Sequence, residues 1–114
     1  MTARLRSDLL VAGLVAQVQG EGGFGAVLRR GDAERGDVVL VLAERGAAKT
    51  ALARQMDVDG AYSWARLVEP GSAGSDSIAR LIAARERFDP DLWIVELDVA
   101  DSERFIADRL NGSS

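Results

Sequence analysis

The chain contains no cysteine and no histidine among its 114 residues. The absence of cysteine excludes disulfides and thiol nucleophiles, and the absence of histidine excludes a Ser–His–Asp triad and a histidine ligand for haem. A zinc site built from cysteine and histidine is excluded for the same reason.

Positive charge is also in short supply. The chain has 14 Lys+Arg against 18 Asp+Glu, a net charge of −4. Proteins that bind nucleic acids generally are usually basic, so this balance makes nucleic acid an unlikely partner. With 47% hydrophobic residues, the chain can bury a core without a metal or a crosslink. We predict a single domain over residues 1–114, located in the cytoplasm.

The apolar run near the N-terminus, Leu9–Ala16, is far shorter than the roughly 20 residues of a membrane span. The run follows a basic stretch, as in a signal peptide. However, Asp8 lies between the basic stretch and the apolar run, and no small-x-small cleavage site follows. We therefore predict an uncleaved amphipathic helix with Ser7 as its N-cap, and no membrane partner. Its apolar stripe consists of Leu10, Val11, Leu14, Val15 and Val18.

Four extended segments follow this helix. They are Phe24–Arg30, Val38–Ala43, Lys49–Met56 and Ala61–Glu69. The short links between them predict a four-stranded antiparallel meander. The continuous apolar run Val38–Ala43 is typical of a strand covered on both faces or central in its sheet. Asp59-Gly60 predicts a two-residue turn that places Gln55 opposite Trp64.

The second half of the chain alternates helix and strand. The linker-like segment 70–75 has flanks too small to be separate domains. A helix then runs to Asp89-Pro90, Leu92–Asp98 forms a strand, and Ser102 caps a last helix. The prediction is an α+β fold of order α-β-β-β-β-α-β-α. It has a mostly antiparallel sheet of about five strands with helices packed on one face.

Acidic residues surround the predicted strand 92–98. They are Asp89, Asp91, Glu96 and Asp98. Such oxygen ligands could hold Mg²⁺ or Mn²⁺, as in nucleases with a D…(E/D)-x-K pattern. The corresponding triplet Glu96–Asp98 has aspartate in place of lysine, and Lys49 is in another strand. The alternative is that Asp89 turns the chain before Pro90 and the others face solvent.

Aromatic and arginine side chains are the candidate interaction residues, because both types are enriched at interface hot spots. They are Tyr62, Trp64, Arg66, Arg85, Arg87 and Trp93. The alternative is core packing for the tryptophans and a solvated helix face for the arginines. Neither glycine-rich stretch, Gly20–Gly25 or Gly71–Gly74, matches a nucleotide-binding motif, so we predict no cofactor.

Four segments together resemble a family of small bacterial proteins, domain of unknown function 1491. They are MTARLRSDLLVAGLV, GDAERGDVVLVL, DGAYSW and, the most specific, RERFDPDLWIVELD. The resemblance spans nearly the whole chain and implies a stand-alone bacterial domain, but it supplies no activity and no catalytic residue. For the most specific segment we predict a structural clasp, in which Arg85 or Arg87 bonds Asp89, Asp91 or Glu96 across the corner at Pro90.

These observations favour a non-enzymatic protein-interaction or regulatory module, whose partner is another protein or a second copy of the chain. Exposed edges of a small sheet make self-association plausible. The alternative is a divalent-metal-dependent hydrolase or nuclease that uses the carboxylates of the Asp89–Asp98 segment. A weaker third hypothesis is a nucleotide or nucleic-acid binder that uses the arginines.

Overall fold

The structure is a computed structural model that describes residues 5–68 and 75–111. The helices are α1 (Ser7–Gly20), α2 (Ser75–Phe88) and α3 (Ser102–Phe105), and α3 continues as a π-helical turn over Ile106–Leu110. The strands are β1 (Phe24–Arg29), β2 (Val38–Glu44), β3 (Ala47–Met56), β4 (Tyr62–Arg66) and β5 (Trp93–Asp98). The predicted order of elements is confirmed. The linker-like segment 70–75 lies outside the described residues except for Ser75, where α2 begins.

The five strands form one mixed sheet in the order β1-β5-β2-β3-β4. β2, β3 and β4 form an antiparallel meander, as predicted. β1 is not part of it, because β5 is inserted between β1 and β2. β5 pairs antiparallel with β1 and parallel with β2. The connection through α2 is long enough to return the chain in the parallel direction, and this placement buries β5 in the centre of the sheet.

Helices cover both faces of the sheet, so the prediction that they pack on one face is wrong. α1 and α3 pack on one face with the alternate residues Val38, Leu40 and Leu42 of β2. α2 packs on the opposite face, where Ile78 meets Val39 and Val41. β2 is apolar on both sides, and a strand of that kind must be covered on both. The second layer follows from this pattern.

The β3–β4 hairpin differs from the prediction by one residue. Asp57 Oδ1 accepts hydrogen bonds from the backbone N–H groups of Asp59 and Ala61, at 2.9 and 3.0 Å. Gly60 takes a φ of +84° that favours glycine. This organises a three-residue loop in place of a two-residue turn. Trp64 therefore lies opposite Arg54 and not Gln55.

Both serines predicted as helix caps have a different role. The Ser7 hydroxyl is fully buried and donates to the Gly36 carbonyl at 2.6 Å, so it connects α1 to the loop before β2. α3 is capped by Asp101, whose side chain accepts a backbone N–H of the first turn. Ser102 instead donates its N–H and its hydroxyl to Glu44, at 2.7 and 2.8 Å.

Candidate interaction surface

The four candidate metal ligands do not converge. Asp89 and Asp91 precede β5 and Asp98 ends it, and the strand separates them by about 17 Å. The Asp89 carboxylate accepts the N–H of Asp91 at 3.1 Å and so shapes the corner at Pro90. Among residues 5–68 and 75–111, no group of three or more acidic side chains is placed to hold a metal ion.

Asp98 stabilises the turn between β2 and β3. Its two carboxylate oxygens accept the backbone N–H groups of Arg45 and Gly46, at 3.1 and 2.7 Å. Both turn residues have a positive φ, +52° for Arg45 and +81° for Gly46. A non-glycine residue in that conformation carries a steric cost, which these bonds help to offset. The carboxylate therefore has a structural role here.

Glu44 lies at the end of β2, where its carboxylate is bonded to the first turn of α3. The hydrogen bonds from the N–H and the hydroxyl of Ser102 hold the pKa of Glu44 below its ordinary value, and the nearby charges of Lys49 and Arg45 act in the same direction. The ionised carboxylate of Glu44 therefore connects the end of β2 to the first turn of α3. Lys49 lies in β3 and the triplet Glu96–Asp98 in β5, so the lysine is in a different strand, as predicted.

Trp93 lies in the core and is only 2% exposed. This agrees with core packing, the alternative that was given for the tryptophans. Its indole N–H donates to the carbonyl of Asp32 at 2.7 Å, and the Arg30 guanidinium lies 5.2 Å from the ring centroid. Gly31 and Gly36 approach the same strand so closely that a Cβ would lie 2.1 and 2.3 Å from the Asp91 carbonyl oxygen. Trp93 thus anchors the loop between β1 and β2.

The face of β4 that carries Tyr62, Trp64 and Arg66 is largely used inside the chain. Trp64 packs against the core on the α1–α3 face. Arg66 forms a two-contact ion pair with Glu103 of α3. Tyr62 is the most exposed of the three, at 40%. The predicted side chains share one face, as expected, but most of that face holds the C-terminal helix in place.

Among the described residues, the predicted clasp between Arg85 or Arg87 and a carboxylate of this segment is not formed, and the Pro90 corner is held instead by Arg29. Its guanidinium donates to three backbone carbonyls, those of Asp89 at 3.3 Å, Pro90 at 3.1 Å and Leu92 at 2.7 Å. Within the described residues, Arg85 and Arg87 make no bond to the acidic side chains of this segment. A single arginine from β1 therefore fixes the entry to β5, and the sequence pattern around Pro90 contains no sign of it.

A cavity of about 310 Å³ opens between the end of α1, the loop after β5, and α3. Two arginines line it, and each has a carboxylate partner within the chain. Arg109 bonds Glu21 at 2.9 Å, and Arg104 bonds Asp108 at 3.4 Å. Each pair uses the Nε–H of its arginine, and we assign no ligand to the cavity.

The surface that sequence reasoning missed lies on α1. This helix was predicted to be amphipathic, but its exposed residues are uncharged: they are Leu9, Ala12, Gly13 and Ala16, followed by Gln17, Gln19 and Gly20 toward its C-terminal end. Leu9 alone is 54% exposed. No charged residue occurs between Asp8 and Glu21. In the parts of the chain that the structure describes, no helix has both the length and the apolar character to cross a membrane.

The apolar surface continues onto β1, along which α1 packs with Val15 against Gly25. The neighbouring exposed side chains on β1 are Val27 at 45% and Leu28 at 56%. Leu28 is the extra residue of a bulge, because Val27 pairs with Val95 and Arg29 with the next residue, Ile94. We name these residues together the α1–β1 surface: Leu9, Ala12, Gly13 and Ala16 of α1 with Val27 and Leu28 of β1.

The comparisons with known proteins agree on one family. A family described as "Protein of unknown function (DUF1491)" matches residues 5–107. The crystal structure of a DUF1491 family protein from Caulobacter crescentus superimposes with a TM-score of 0.78 at 28% identity, covering 90% of this chain and 94% of that one. An NMR structure of a DUF1491 family protein from the same organism gives 0.77 at 29% identity, covering 92% and 94%.

A more distant likeness concerns the fold alone. The solution structure of a protein from A. tumefaciens has a TM-score of 0.69 at 24% identity, covering 87% of this chain and 89% of that one. A search of curated proteins found no match. These comparisons establish the family and the fold, and their descriptions name no activity.

Proposed function

The chain belongs to the DUF1491 family, and we propose that it acts as a protein-interaction module that binds its partner through the α1–β1 surface. The proposal retains the function class predicted from the sequence and changes the surface. The aromatic residues first considered are mostly engaged within the chain, whereas the α1–β1 surface has no contacts of that kind among the described residues.

One observation supports this proposal most directly, the lack of charge on the exposed face of α1. The chain is 28% charged, so a 12-residue surface segment would carry about three charged residues, as soluble surfaces usually do. Residues 9–20 carry none, although only one side of the helix is seated on the sheet. Among the exposed residues of α1 only Gln17 and Gln19 are polar, so the helix has little of the polar face that a solvated amphipathic helix presents. A contiguous exposed apolar patch marks an interaction site.

Other exposed apolar side chains occur outside the α1–β1 surface: Leu5 precedes α1, Phe24 begins β1, and Met56 and Tyr62 lie opposite each other on β3 and β4. Val58 is at the tip of the β3–β4 loop, and Phe88 is at the end of α2 and is 83% exposed. Single apolar residues of this kind are common on soluble proteins and need no partner. Phe88 is therefore a suitable comparison site for experiments on α1, because it is exposed and apolar but lies on a different helix.

Site-specific photo-crosslinking in the host cell tests the proposal. A photoreactive amino acid is placed at Ala16, on the outward face of α1, and in a separate variant at Phe88. We expect covalent protein adducts from position 16 and none above background from position 88. Ala16 is exposed, so the substitution should leave the melting temperature unchanged.

A third variant with the photoreactive group at Tyr62 distinguishes this surface from the one predicted first. Adducts at position 62 with none at position 16 would move the interface to β4. If all three positions gave the same low background at the natural expression level, the interaction function itself would be wrong. Mass spectrometry of the adducts identifies whether the captured chain is another protein or a second copy.

A further inference from the structure

The outer edge of β4 is covered by a side chain in place of a strand. β4 is the last strand of the sheet and has only β3 as a neighbour. On its other side, the Asn111 side-chain oxygen accepts the N–H of Trp64 and the Asn111 amide donates to the Trp64 carbonyl, both at 2.9 Å. Opposite residues of an antiparallel strand pair exchange the same two bonds. Asn111 therefore occupies the position at which another chain would pair with the centre of β4.

The backbone around Asn111 explains how its side chain reaches this position. The Asn111 N–H bonds the carbonyl of Ile106, five residues earlier, at 2.8 Å and so closes the π-helical turn. Turns of this kind are rare and occur frequently at functional sites. An α-helical turn would bond a residue four positions earlier and would give residue 111 a different direction around the helix axis. The wider turn therefore sets the direction in which the Asn111 side chain approaches β4.

We infer that the π-helical turn and Asn111 form a releasable cap on β4. The closed cap blocks the edge, and the open cap lets an extended segment of another chain pair with it. Unpaired edges are templates for such pairing, and proteins cover them to prevent it. The inference goes beyond the proposed function and does not depend on it, because β4 and the α1–β1 surface lie at opposite edges of the sheet.

The contacts of the turn explain why it opens while the rest of the fold stays closed. Ile106 is buried and anchors the beginning of the turn in the core. Leu110 is only partly buried, and the other residues from 107 to 111 are exposed. Within the described residues, one ion pair joins the turn to another element, between Arg109 and Glu21, whose side chains are 45% and 42% exposed. Such pairs contribute little to stability and are weakened by salt, so the turn opens locally.

Hydrogen exchange of the Trp64 backbone amide tests whether the cap opens. Asn111→Ala removes both bonds and should speed this exchange by at least about ten-fold. Arg109→Ala keeps Asn111 but removes the ion pair to the end of α1, and it should speed the exchange by a smaller factor. Arg104→Ala is the matched control, because its ion pair stays within α3 and the π-helical turn, and it should leave the exchange unchanged. All three positions are exposed, so each variant should keep the fold.

The same measurement at rising protein concentration tests whether the cap blocks pairing. In a purified sample of Asn111→Ala, the extended segment available to the opened edge is β4 of a second copy. Sedimentation velocity from about 10 µM to about 1 mM should show this variant gaining mass relative to the unmodified protein. Its Trp64 amide should regain protection over the same range. Amides of β1 should respond to concentration in the same way in both proteins.

A purely structural role for Asn111 gives a different set of results. The Trp64 amide of Asn111→Ala would then exchange faster, but neither its mass nor its protection would depend on concentration more than in the unmodified protein, and the inference would be overturned. Unchanged exchange in Asn111→Ala would also overturn it, as would an Arg109→Ala variant that exchanges like the control. None of these outcomes changes the meaning of photo-crosslinks from position 16, so the proposed function and the cap are tested separately.

Discussion

Replacing Arg29 by alanine should be one of the most damaging single changes on the surface of this protein. The side chain makes three bonds to the carbonyls of the Pro90 corner, and the shortest, 2.7 Å to Leu92, is partly buried. A hydrogen bond with a charged donor contributes about 1.5–3 kcal/mol to stability. The two longer bonds reach carbonyls that water can solvate when the arginine is removed. We therefore expect a loss of about 2–3 kcal/mol in the free energy of unfolding.

Thermal unfolding followed by circular dichroism measures this loss. For a chain of this size, 2–3 kcal/mol corresponds to a fall of about 10 °C in melting temperature. Arg85→Ala and Arg87→Ala are the matched controls, because the sequence assigned the clasp to them, and each should stay within about 0.5 kcal/mol of the unmodified protein. If Arg29→Ala melted with the controls, or either control lost as much as Arg29→Ala, the structural account of the corner would be refuted.

Three further changes test other parts of the structure by chemical denaturation. Ser7→Ala removes the buried bond to Gly36 and should cost about 1–3 kcal/mol, whereas an effect within error would contradict that bond. Gly31→Ala forces a methyl group onto the Asp91 carbonyl and should cost at least about 1–3 kcal/mol, and an unchanged midpoint would mean that the loop is not held there. Glu44→Gln should be less stable than the unmodified protein at neutral pH. Because the pKa of Glu44 is lowered in the fold, its contribution is present above its ordinary pKa and is lost as the pH falls through the folded value. The difference between the two proteins should therefore shrink on acidification, and a constant difference would be inconsistent with that role.

Local patterns in the sequence were sufficient for the order and type of the elements. Apolar alternation, turn residues and the Asp89-Pro90 stop each act within a few residues, and together they predict the observed order of helices and strands. The insertion of β5 between β1 and β2 was missed because it depends on a pairing between segments that are more than 50 residues apart. The hairpin register was missed because the Asp57 side chain, and not the glycine alone, determines the loop length.

The second helical layer could have been predicted. The run Val38–Ala43 was identified as a strand covered on both faces or central in its sheet, and β2 is buried on both faces. Placing every helix on one face contradicted the first of these readings, because the opposite side of the strand would then have met water. The contradiction was present in the sequence and needed no knowledge of the topology.

The candidate site was harder to predict, because the aromatic and arginine residues that suggest an interface in the sequence are not always exposed to solvent in the fold. Trp93 and Arg66 are prominent in the sequence, but the first is in the core and the second is paired with Glu103.

The sequence does contain one indication of the α1–β1 surface: no charged residue occurs between Asp8 and Glu21. An amphipathic helix on a soluble protein needs a polar face as well as an apolar stripe, and α1 has the stripe but, apart from Gln17 and Gln19, no polar face between Asp8 and Glu21. Counting the residues on the far side of that stripe would have shown that α1 has apolar surface in excess of what its own sheet can cover. This excess is the physical reason to expect a partner at this surface.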